Sequence, residues 1–116
     1  MPLLPRDRAV PILDAGGGTG KWSIRLAEMG YRNIHLVDIS EGMLTIAWAK
    51  IAERGLLNWI GIHHADVCDL PFPDSHFGLV VADGNLLSLV PGPGRALKEM
   101  WRVLRRRGQS FLTSTR

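Results

Sequence analysis

A short apolar run that empties into glycine, Pro11-Ile12-Leu13-Asp14-Ala15-Gly16-Gly17-Gly18-Thr19-Gly20-Lys21, limits the possible folds more than any other part of this chain. Pro11 to Leu13 reads as a short buried strand and Lys21 to Met29 as a helix, which makes the glycines the turn between them. A strand that reaches a helix N-terminus through such a turn leaves a nucleotide-sized crevice. Glycine keeps Cβ atoms out of that crevice and permits positive φ. The spacing Gly16-x-Gly18-x-Gly20 is not the dinucleotide fingerprint G-x-G-x-x-G, which requires glycine where Lys21 stands. Asp14 places an acid beside the turn, where it repels a pyrophosphate and suits a ligand bearing an ammonium group. Thr19 is the expected N-cap, Gly30 the left-handed C-cap, and Trp22, Leu26 and Met29 the helix face on the sheet.

The pattern then repeats. Asn33 to Asp38 is a second strand ending in an acid, eighteen residues after the last loop glycine. In a parallel βαβ unit this brings Asp38 to the carboxyl end of the neighbouring strand, beside the loop; the plainer alternative is that Asp38 only opens the next helix. Ser40 caps that helix, which runs to about Arg54 and stops at Gly55. Met43 lies in its first turn, facing either the crevice or the core. Asn58 to Asp66 contains a third strand that ends in another acid, followed by the backbone N–H of Val67. Leu70 to Asp74 is a proline-punctuated surface turn, and Phe77 to Ala82 is a fourth, wholly apolar strand leading to the turn Asp83-Gly84-Asn85. Arg95 to Leu104 is an amphipathic helix with Leu97, Met100, Trp101 and Leu104 as its stripe, ended by Gly108. Gln109 to Thr113 forms a fifth strand. The predicted fold is an α/β, Rossmann-like, open and mostly parallel twisted sheet of about five strands with flanking helices, in one domain over 1–116.

Composition removes several alternatives. The 116 residues suit one domain, and 46% hydrophobic with 22% charged residues is ordinary for a globular protein. A net charge of +3 is too small to imply nucleic acid. One cysteine, Cys68, excludes an internal disulfide framework and a cysteine zinc cluster, and reads as a small turn residue. No apolar run is long enough to span a membrane and the N-terminus lacks a signal-peptide core, so a cytoplasmic location is expected. His63 and His64 are adjacent strand residues pointing to opposite faces, which argues against a shared metal. His35 and His76 read as surface or satisfied side chains. Arg105 to Arg107 reads as a solvated helix end.

Leu13-Asp14-Ala15-Gly16-Gly17-Gly18-Thr19-Gly20 resembles the first motif of the class I S-adenosylmethionine-dependent methyltransferases. The resemblance continues through Asp38, through Asp66-Val67 with Asp69-Leu70-Pro71-Phe72-Pro73-Asp74, and through Ala96 to Leu104 with Gly108. The flavour is similar to the ubiquinone/menaquinone biosynthesis group. Two positions depart from the pattern: Gly78 stands where an Asp is usual, and Arg106-Arg107-Gly108 where Pro-Gly-Gly is usual. Family members usually have a lid helix before strand one and further elements after strand five; this sequence reads as the cofactor-binding core alone, either a fragment or an unusually minimal member.

The resemblance implies S-adenosyl-L-methionine as cofactor and methyl transfer by in-line displacement to a small-molecule acceptor, with no compulsory general base and no metal. It places Asp14, Ala15, Gly16 and Gly18 at the cofactor's methionine part and ribose, with Asp14 near the ammonium. Asp38 and Ile39 fall to the ribose side, Met43, Asp66 and Val67 to the adenine, and Asp83 to the methionine end. The carboxylates of Asp14, Asp38 and Asp66 should then converge along one rim. Two other readings are a nicotinamide-dependent oxidoreductase, which Lys21 disfavours, and a binding module without turnover. Without the later elements, strand five should be an open edge with Phe111 exposed, favouring a homodimer or larger assembly. Neither nucleic-acid nor membrane partners are expected.

Overall fold

The computed structural model describes residues 4–83, 93–106 and 110–114, with the backbone alone described for Asp83, Pro93 and 110–114. Among the described residues the elements follow one another as β1 (Ile12–Ala15), α1 (Lys21–Glu28), β2 (Ile34–Asp38), α2 (Glu41–Glu53), β3 (Ile60–His64), β4 (Leu79–Asp83), α3 (Pro93–Val103) and β5 (Ser110–Ser114). The sheet order is β3-β2-β1-β4-β5 and every pairing is parallel. The chain reverses its direction of winding between β1 and β4, so the crevice of an open α/β sheet belongs at the carboxyl ends of these strands.

All four residues of β1 are buried because the strand is covered on both faces. Ile12, Ile34, Leu36, Ile60, Leu79 and Val81 face α1 and α2; Leu13, Ala15, Val37, Val80 and Ala82 face α3 and the 67–77 segment. Alternation along each strand thus builds two cores from one sheet. Both α1 and α2 stop at a left-handed glycine. At Gly30, φ is 101°, its N–H donates to Ala27 O, and the Tyr31 N–H donates to Leu26 O. Gly55 repeats the arrangement with Ala52 O and Leu56 N–H to Ile51 O, which satisfies carbonyls the helix ends would leave open.

Several details differ from expectation. Met29 is 47% exposed because it lies at the C-cap, past the last buried turn. In α3 the buried face is Ala96, Met100 and Val103, with Leu104 buried just beyond it, so Trp101, one residue round the helix from Met100, is 54% exposed. Strand β4 begins at Leu79 rather than Phe77, because the His76 and Phe77 N–H groups both donate to Val103 O at the end of α3. The 70–74 turn is not simply a surface feature: Leu70 is buried and Phe72 packs on the α3-side core. Gly78 has a steric reason, since a Cβ there would lie 2.3 Å from Val10 Cγ2. Arg105 and Arg106 are exposed; Arg107, Gly108 and the side chain of Phe111 lie outside the described residues. β5 is the outer strand of the described sheet, paired with β4 alone. Among the described residues no helix is long and apolar enough to cross a membrane.

His63 and His64 do face opposite ways. His63 meets His35 and Phe72 on one face, while His64 bonds Ile39 O on the other. His35 Nε2 bonds Asn33 Oδ1 at 2.8 Å, which makes this nitrogen the donor and leaves Nδ1 to accept from His63 Nε2 at 3.0 Å. His35, accepting at Nδ1, is therefore neutral in this arrangement. Burial, then the charges of His63 and His76, lowers the His35 pKa; burial lowers that of His63. The unfolded chain consequently takes up protons first. Stability should be complete above about pH 6.5 and should fall as pH drops from there toward the depressed folded values. Urea midpoints between pH 8 and 5 will show this slope, and His63→Gln, which keeps a donor but does not titrate, should reduce it.

Candidate functional site

At the end of β1 the backbone enters the left-handed region at Gly16 (φ 67°), Gly18 (φ 57°) and Gly20 (φ 88°). A side chain at these alternate positions would be strained, which accounts for their glycines. Gly17 is fixed differently: a Cβ would lie 2.7 Å from Asp14 Oδ2 and 2.8 Å from Leu36 Cγ. The loop is pinned by Gly17 N–H to Val37 O at 3.1 Å and Gly20 N–H to Gly17 O at 3.0 Å. Thr19 is not the N-cap. Gly20 occupies that position and no side chain caps the helix, because the chain enters α1 in a left-handed turn rather than the extended conformation a Thr cap adopts. With no side-chain cap, the N-terminal turn of α1 has backbone donors and a positive dipole end available to a ligand.

Asp38 closes the loop from the neighbouring strand. Its Oδ2 accepts from Gly18 N–H at 2.8 Å and its Oδ1 from Ser40 N–H at 2.9 Å. It is not the helix cap; Ser40 is, accepting from Met43 N–H at 3.2 Å. Each Asp38 oxygen keeps a second lone pair for a ligand hydroxyl. Beside it Ile39 is 65% and Met43 45% exposed, so Met43 is not a core residue. Asp66 is also exposed but does not end its strand. The last ladder bond is Ala65 N–H to Asp38 O, and Asp66 lies in the following turn with its Oδ1 accepting from Cys68 N–H at 2.9 Å. The Val67 side chain is buried in the α3-side core, so only its backbone can serve a ligand. The register aligns Ala15 with Val37 and Ala82, and Asp83 follows at the same edge, its side chain outside the described residues together with Gly84 and Asn85.

The expectation of three converging rim carboxylates is therefore corrected. Asp38 and Asp66 lie on the rim, whereas Asp14 is 2% exposed and lies beneath the loop, accepting from Ser23 Oγ at 2.7 Å. A residue in the middle of a central strand cannot reach the edge past the glycines folded over it.

Two further groups were not evident from the chain. Ser23 gave no signal, since it looks like any small helix residue. Arg102 had one, a Glu99 three residues earlier on the same helix. Arg102 binds Glu99 with Nε (2.6 Å) and Nη2 (3.0 Å), and its remaining donors go to Leu70 O, Phe72 O and Asp74 Oδ1. Glu99 Oε1 also accepts from Leu70 N–H at 2.8 Å. This clamp fixes the segment that follows Asp66. Cys68 nearby is buried, and burial together with Asp66 pushes its thiol pKa up, so it remains a protonated turn residue. Among the described residues no group of three or more His, Cys, Asp or Glu is placed to hold a metal.

Residues 12–108 match the methyltransferase domain family. The chain belongs to the class I S-adenosylmethionine-dependent methyltransferases. The demethylmenaquinone methyltransferase of Listeria monocytogenes serotype 4a is 36% identical over 111 residues, 94% of this chain and 46% of that protein. A crystal structure from Methanococcus maripaludis, provisionally described as an S-adenosyl-L-methionine-dependent methyltransferase, has a TM-score of 0.83 at 30% identity, over 90% of this chain and 48% of that one. The [4+2]-cyclase SpnF follows at 0.80 and 34%, over 86% of this chain and 36% of that one. This methyltransferase domain thus spans about half the length of the curated relatives it matches. S-Adenosyl-L-methionine is the cofactor its family and fold imply.

Proposed function

We propose that this domain binds S-adenosyl-L-methionine along the carboxyl edge of its sheet and takes part in methyl transfer to a small-molecule acceptor of the quinone type. One observation carries the reading: the Asp38 carboxylate joins the glycine loop to the start of α2 and retains acceptor capacity at the rim. The residues fit the cofactor. A Cβ on Gly18 would meet only Asp38 Oδ2, at 4.0 Å, so the loop is open at that point to a close-lying ligand. Asp38 with Ile39 would hold the ribose, Asp66 and the Val67 backbone the adenine edge, and Met43 an adenine face. Ala15, Gly16 and Gly18 would line the methionine part, with Asp14 acting from below and Asp83 at the far end.

The cofactor, when bound, supplies an electrophilic methyl group on a sulfonium sulfur. The chain's own contribution is alignment: loop, rim acid and apolar side chains restrict the ligand to one pose and exclude water from part of its surface. Likeness to the demethylmenaquinone methyltransferase supports a quinone-type acceptor. A second reading, ligand binding without methyl transfer, is favoured by the likeness to a cyclase. Calorimetry with S-adenosylhomocysteine tests the site, and transfer of labelled methyl to a demethylated quinone tests the reaction. Binding without transfer selects the second reading, and absence of binding removes both.

A further inference from the structure

Asp14 and Ser23 are the two buried aliphatic polar side chains among the described residues, 2% and 0% exposed. They are joined by a hydrogen bond, Ser23 Oγ donating to Asp14 Oδ2 at 2.7 Å. The bond ties the third residue of β1 to the third residue of α1 across the whole glycine loop. Burying an acid costs stability unless it is hydrogen-bonded, and apolar residues of similar volume often pack as well. Folding alone therefore gives little reason for an acid and a hydroxyl here. The same Asp14 oxygen, together with Leu36 Cγ, leaves Gly17 no room for a Cβ. The loop is thus seated directly on this carboxylate, which is shielded from water and so poorly screened toward whatever lies above the loop.

We infer that Ser23 is a positioning residue: its hydroxyl fixes the Asp14 carboxylate under Gly17 so that the carboxylate acts on the cationic amino-acid end of the ligand. The inference rests on the S-adenosylmethionine reading of the crevice. A purely structural Ser23 would shape the loop for every ligand alike. A positioning Ser23 discriminates between ligands with and without an ammonium group.

The test is calorimetry of the wild-type protein and its variants with two ligands. S-Adenosylhomocysteine carries the amino acid; 5′-methylthioadenosine shares the adenosine and thioether but lacks it. Ser23→Ala should weaken S-adenosylhomocysteine about tenfold, the scale of one charge-assisted hydrogen bond, and 5′-methylthioadenosine less than twofold. Ser23→Cys, close in size and a weak donor, should fall between and carries the comparison if the alanine variant does not fold. In an Asp14→Asn background Ser23→Ala should produce no further selective loss, because the group it acts through has changed. Equal weakening of both ligands, no weakening, or a full selective loss persisting in Asp14→Asn overturns the inference. A wild-type protein that binds neither ligand removes the cofactor reading beneath it, an outcome distinct from these.

Discussion

Asp38→Ala is expected to weaken S-adenosylhomocysteine by about 2 kcal/mol or more, roughly thirtyfold, with little change in the chain's far-ultraviolet circular dichroism. Two losses combine. The ligand's hydroxyls lose a charged acceptor, and the Gly18 and Ser40 N–H groups lose the oxygens that hold loop and helix together. Asp38→Asn separates them. An amide oxygen can still accept from one of the two backbone donors, while the charge and the second acceptor are gone. Its affinity should lie between those of wild type and Asp38→Ala. Unchanged affinity in Asp38→Ala would mean that the ribose is not held here, and the orientation proposed for the cofactor would have to be abandoned.

Arg102→Ala should destabilise the fold by about 2–3 kcal/mol, read from the urea midpoint at neutral pH. The guanidinium has five donors and the structure gives each a partner, two on Glu99 and one each on Leu70, Phe72 and Asp74. Removing it leaves Glu99, 17% exposed, without its counter-charge. Arg102→Lys should recover less than half of the loss, because an ammonium cannot reproduce the fork that reaches five acceptors. Acid behaviour provides a second readout. The Arg102 hydrogen bond, helped by the Leu70 N–H and by the Arg102 and Arg95 charges, lowers the Glu99 pKa against the opposing effect of burial. Its contribution is present above the ordinary glutamate value near 4.3 and is lost as pH falls from there through the depressed folded value. That acid limb should vanish in Arg102→Ala. A variant with wild-type stability at both pH 7 and pH 4 would show that the clamp is incidental.

The architecture was legible because it rests on periodicity and punctuation. Val80 and Val81 lie within an apolar run suited to a doubly covered strand, and Gly30 and Gly55 stop their helices at positive φ. Asp38 was legible for the same reason: a strand's last residue has a predictable place in a parallel sheet. What the chain did not disclose depends on depth and rotation. Asp14 is as acidic in the sequence as Asp38, and only the packing of Gly17 over it shows that it lies under the loop. Trp101 belongs to the apolar stripe by spacing, yet a few tens of degrees of helix rotation place Val103 inside and Trp101 outside. Ser23 is silent because a single hydroxyl at a small-residue position carries no pattern.

Gly78 has a consequence for exchanging parts between relatives. Its missing side chain is the space that Val10 Cγ2 fills, and its N–H donates to Pro11 O, so the segment entering β1 and the one entering β4 are fitted to each other atom by atom. Any side chain placed at position 78 would need Val10 trimmed at the same time. Positions 10 and 78 should therefore be transplanted together in a chimaera or left alone.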